Sequence, residues 1–174
     1  MPLLSLSKAE NERAMKNMQT WFDEYGESHQ NGTNKLIHWI CVPSIFFSLI
    51  GLLSLIPHDF FSSLESNGLA PYLHFGTLLI IVGIVFFVRI SIPMAIGMIF
   101  VSSLVLFLVK KVNLIWPDNA GWIFFSIFAF AWVGQFIGHK IEGKKPSFFD
   151  DLKFLMIGPA WLLGFIYKKL GISY

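Results

Sequence analysis

Long apolar runs separated by short polar segments dominate the chain. They fall at residues 36–57, 71–88, 92–109 and 120–138. Each is long enough, at about 1.5 Å per residue, to cross much or all of a hydrocarbon layer of about 30 Å. A further apolar stretch, 152–170, is interrupted by Gly158-Pro159 and reads as a transmembrane or a re-entrant segment. Ahead of them all, residues 7–27 place Met15, Met18, Phe22 and Tyr25 at three- and four-residue intervals, with Lys8, Glu12, Arg13 and Lys16 on the other face. That helix is too polar to span and is expected at the interface. The predicted fold is all-α: a polytopic membrane helix bundle of four to five transmembrane helices plus an N-terminal amphipathic helix, in one domain over 1–174.

The polar segments carry the local signals. Asn31-Gly32 marks a turn, and Thr33 or Asn34 is expected to cap the first span. Pro43 stands inside that span as a candidate kink. Ser91-Ile92-Pro93 reads as a tight connection, and Lys110-Lys111 as the start of the next loop. Asp118 or Asn119 is expected to cap the fourth span.

Composition agrees with this pattern. Of 174 residues, 55% are hydrophobic and only 14% charged, against roughly 25% charged in globular chains. The net charge of +2 is too small for a nucleic-acid partner. The single cysteine, Cys41, excludes a disulfide framework and a CxxC metal site. No cleavable leader is expected, and the first span would direct insertion. The expected location is a bacterial cell membrane, or the endoplasmic reticulum in a eukaryote. Basic residues gather on the side of the N-terminus, which the positive-inside bias makes cytoplasmic. This orientation places His29, His38 and His139 together at the cytoplasmic edge and leaves His58 and His74 on the opposite side.

Imidazoles beside a lipid phase are costly without a partner. His29 and His38 are nine residues apart and would face opposite ways on one continuous helix. The Asn-Gly turn lets both face one point. Gln135, His139 and Glu142 share a face if the fourth helix continues past Gly138. Glu142 reads as a metal carboxylate, as an acceptor for an imidazole N–H, or as a partner for neighbouring lysines. Asn34 could cap, orient a ligand or bind substrate. Two or three imidazoles, a carboxylate and no thiolate suit iron(II), manganese or zinc. Haem is a further option, and spacing does not choose among them. A zinc-dependent hydrolase and a non-catalytic lipid-binding scaffold stand as alternatives to oxygen chemistry.

Two blocks carry a resemblance. Tyr25…His29…Asn34…His38…Val42-Pro43 and Trp132…Gln135-Phe136…Gly138-His139…Glu142-Gly143-Lys144-Lys145-Pro146, in this order, resemble the 2-hydroxy fatty acid dioxygenase family of small membrane proteins. Asp151-Leu152…Ile157-Gly158-Pro159 is similar as well. The resemblance implies an Fe(2+) enzyme that shortens a 2-hydroxy fatty acid by one carbon, consuming O2 and releasing CO2 without 2-oxoglutarate. It implies His29, His38 and His139 as iron ligands, with Glu142 as a fourth candidate. Tyr25, Asn34, Gln135, Lys144 and Lys145 are the remaining candidates, for binding substrate or supporting the ligands.

Overall fold

A computed structural model describes residues 17–57, 70–143 and 155–174. Residues 7–16 of the amphipathic helix, His58 and its loop, Lys144 and Lys145 lie outside the described residues. Six α-helices and no strand occur among those described: α1 Met18–Gly26, α2 Gly32–Ser54, α3 Phe75–Ile90, α4 Ile92–Ile115, α5 Ala120–Glu142 and α6 Ile157–Leu170. A short 3-10 turn, Ala70–Tyr72, precedes α3.

Polar side chains set the helix starts. Asn17 Oδ1 accepts from the Thr20 N–H at 2.8 Å and opens α1. Asn31, rather than Thr33 or Asn34, caps α2, accepting from both of their N–H groups. The loop side of the Asn-Gly turn therefore supplies the cap, and Asn34 is released for another role. His74 Nδ1 caps α3 through Thr77. Ser91 ends α3 and caps α4, with Pro93 in the first turn, where its missing N–H costs nothing. Asn119 stands at the start of α5 without a side-chain cap bond.

The helices differ in extent from the apolar runs. Pro43 lies inside α2 without ending it. α4 continues through Lys110 and Lys111 to Ile115. Lys110 Nζ reaches the Tyr72 hydroxyl at 3.4 Å and lies over that ring, and lysine is itself a good helix former. α5 continues past Gly138 to Glu142 and stops at Gly143, whose φ of 73° is the left-handed conformation glycine adopts freely. Gly158-Pro159 does not interrupt α6 but forms its first turn.

Among the described residues, three helices are long and apolar enough to cross a membrane: α2, α4 and α5. The 16 residues of α3 make about 24 Å of helix, and the 14 of α6 about 21 Å. Neither matches a hydrocarbon core of about 30 Å. The outward faces remain apolar, with Ile81, Val82, Phe100, Leu104, Trp122 and Phe130 all exposed. A bare apolar sheath of that kind suits lipid contact.

α2 and α5 form the most extensive pairing. Small residues allow their close approach: a Cβ on Gly134 would lie 2.5 Å from Cys41 Sγ, and one on Gly51 would strike the Phe124 ring. Phe46, Ile50, Ile80, Val105 and Phe124 fill one half of the bundle. Phe22, Tyr25, Phe87, Met98 and Trp161 fill the other, where α1 and α6 pack. Antiparallel succession brings the start of α2 and the end of α5 together at that second end. At the far end, Asn113 Nδ2 donates to Ser54 Oγ at 3.0 Å.

Candidate metal centre

The bend between α1 and α2 is short. His29 N–H donates to the Gly26 carbonyl, and α2 begins at Gly32. His29 thus sits in the bend, His38 two turns into α2, and His139 in the last turn of α5. The bend and the α2–α5 pairing bring all three to one point. One ligand nitrogen from each ring lies within 4.8 Å of the other two. The rings are only 2%, 0% and 4% exposed, so they have left water for an enclosed setting. Ring centroids are 4.2 Å apart for His29–His38 and 5.2–5.3 Å for the pairs with His139. That spacing leaves no gap for a porphyrin ligated on both faces by any two of these rings.

The tautomers of two rings follow from their partners. His29 Nδ1 meets the Tyr25 carbonyl, and His38 Nδ1 meets the Asn34 carbonyl at 2.9 Å. A carbonyl only accepts, so each Nδ1 carries the hydrogen, and in the neutral ring the lone pair is on Nε2. Neutral imidazole with Nδ1–H held by a carbonyl is the form that binds a metal through Nε2. Tyr25 also stacks on His29, with centroids 4.2 Å apart and planes 18° apart. Trp161 meets the same ring at 5.3 Å. Donor nitrogens within 4.8 Å of one another are near the spacing that bonds of about 2.0–2.1 Å to one ion require. The donor set is therefore fit to hold a transition metal ion.

Glu142 occupies a different place from the ligand cluster. Its carboxylate accepts from the Gln30 N–H at 2.8 Å, the Asn31 N–H at 2.9 Å and Asn34 Nδ2 at 2.9 Å. It fastens the end of α5 to the bend that carries His29. Asn34 is fully buried and also donates to the Ser28 carbonyl at 3.1 Å. Asn34 and Glu142 together form a bracket around the three rings.

Gln135 is buried one turn before His139. It lines a cavity of about 20 Å³ with Tyr25, Val42, Trp132 and Gly158, room enough for one water. A larger cavity, of about 400 Å³, opens on His29 and Trp161. The sequence pattern does not single out Trp161 as a neighbour of His29, nor Gly138, whose lack of a side chain lets Asn34 and His38 approach α5. It also does not single out Asn31 as the cap, although the Asn-Gly pair is the available signal.

One consequence is testable in the bracket. Glu142→Ala should weaken metal binding by about 10–100-fold, the usual effect of removing a group that supports a ligand. Titration against a competing chelator measures this. Unchanged affinity would remove Glu142 from any supporting role.

No curated protein and no solved structure matches the chain. A family model described as 2-hydroxy-palmitic acid dioxygenase Mpo1-like matches residues 15–170. That span contains both motif blocks, all three histidines and the bracket, and the chain belongs to the Mpo1-like family.

Proposed function

We propose that this protein is an iron(II)-dependent dioxygenase that converts a 2-hydroxy fatty acid to the fatty acid one carbon shorter. The observation that carries the reading is the buried three-histidine group beside a cavity of about 400 Å³. The family description supports the reaction class.

The stoichiometry closes with O2 alone. The C1–C2 bond breaks, C1 leaves as CO2, and C2 is oxidised from carbinol to carboxyl. One O2 takes up the four electrons and is shared between products and one water, so no 2-oxoglutarate is needed. Iron(II) held by His29, His38 and His139 would supply oxygen activation, and three ligands leave positions for substrate.

The chain's own residues do the rest. The carbonyls of Tyr25 and Asn34 hold two imidazoles in the ligating tautomer. Tyr25 and Trp161 fix the plane of His29. Glu142 and Asn34 keep the bend against α5. Burial keeps bulk water from the reacting carbon. The site lies at the bundle end expected on the cytoplasmic side, where an acyl chain can remain in lipid while its head reacts.

Purified protein loaded with iron(II), supplied with 2-hydroxypalmitate and oxygen, should form pentadecanoate and CO2 in equal amounts. Oxygen consumption should match them. Stoichiometric zinc with hydrolytic turnover under anaerobic conditions would overturn the proposal.

A further inference from the structure

The proposed function leaves open how the substrate head is recognised. The cavity on His29 lies between α1, α2 and α6, and its volume is in the range of ligand pockets, about 300–1,000 Å³. Its charged lining is divided. Lys35 comes from α2 and Lys168 from α6, while Asp23 and Glu27 come from α1 and its end. Asp23 is already engaged by Gln19 Nε2 at 2.7 Å. Lys35 stands in the first turn of α2, where a cation opposes the helix dipole. Helix stability therefore does not account for a lysine there.

The cavity is apolar on its α6 side. Trp161 and Phe165 line it, and they pack edge to face at 4.7 Å. Phe165 in turn meets Trp39 at 6.2 Å, outside the lining. Trp39 and Phe165 are both 40% exposed, and Ile40 and Ile166 are exposed beside them in sequence. A track of apolar surface thus leads from the cavity to the outer faces of α2 and α6. The combination suits an amphiphile with one small anionic head and a long tail.

We infer that this cavity admits the substrate between α2 and α6, and that Lys35 and Lys168 recognise its carboxylate while the acyl chain runs over Phe165 and Trp39. The inference rests on the reading of the site as acting on a 2-hydroxy fatty acid. It adds two specificity residues and an access route to that reading. Both lysines attract the head by charge, and His29 at the inner wall marks where the head arrives.

Binding tests it without turnover. Full-length, metal-free protein in a nonionic detergent is titrated with 9,10-dibromostearate and with the matching dibromo alcohol. Bromine should quench the fluorescence contributed by Trp39 and Trp161, and Trp39→Phe/Trp161→Phe should lose that quenching. Lys35→Gln/Lys168→Gln should weaken binding of the acid about tenfold, as loss of a charge-assisted contact does, and leave the alcohol unchanged. Retained alcohol binding shows that the variant is folded. Equal weakening of acid and alcohol, unchanged acid binding, or quenching that persists without the two tryptophans would overturn the inference. Metal-free protein catalyses nothing, so these results stand apart from the proposed reaction. Turnover of 2-hydroxypalmitate with an unaltered KM in the lysine variant would overturn the inference and leave the reaction intact.

Discussion

His38→Ala should abolish metal binding and turnover together. His38 is fully buried, and its Nδ1 is fixed by the Asn34 carbonyl. Its removal leaves two imidazoles, which hold a first-row dication far more weakly than three. Metal content should fall from about one ion per chain to under about a tenth, and product formation by at least about 10³-fold, because oxygen activation is lost with the ion. Elemental analysis of freshly purified protein and product quantitation check the two halves. The control is His74→Asn at the other end of the bundle. His74 caps α3, asparagine caps equally well, and both readouts should be retained. Stoichiometric metal in His38→Ala would show that the three rings are not the ligand set.

Gly138→Ala should damage the same centre without touching a donor. A Cβ there would lie 2.3 Å from Asn34 Oδ1 and 3.3 Å from His38 Cε1. The first distance is impossible, so Asn34 must rotate or α5 must withdraw from α2. Rotation gives up the bonds to Glu142 and Ser28, and withdrawal moves His139 away from its partners. Overpacking of this kind costs about 1–3 kcal/mol. Lower thermal stability should accompany weaker metal binding. Gly121→Ala is the comparison, since its Cβ would meet only Leu55 Cδ1 at 3.5 Å, an ordinary contact. If Gly138→Ala behaves like Gly121→Ala, the tight approach of α5 to Asn34 is not needed by the centre.

Much of this architecture was legible in the residue pattern, for identifiable reasons. α2, α4 and α5 are long and strongly apolar, and such segments need no tertiary information to be recognised. Their ends were less legible. α4 runs on through Lys110 and Lys111, because lysine is a good helix former and its charge alone does not end a helix. The stop of α5 at Gly143 instead of Gly138 depends on which glycine adopts a left-handed backbone. The meeting of His29 and His38 could be read from the Asn-Gly bend, and the shared face of His139 and Glu142 from their spacing. The position of Glu142 could not. Its partners lie more than a hundred residues away, and two donors on the bend and one in the first turn of α2 capture its carboxylate. Trp161 gave no signal at all, because an interfacial tryptophan and one packed on an imidazole look alike in sequence.

The pairing of α2 with α5 has a consequence for the chain's thermodynamics. His38 and His139 belong to segments separated by about a hundred residues, and closing so long a loop costs conformational entropy that grows only slowly with length. An ion shared by the two would act as a reversible cross-link, much as a disulfide does in an oxidising compartment. Occupancy of the centre and cohesion of the bundle would then be one equilibrium: each increment in ion concentration above the dissociation constant would add to the free energy of unfolding.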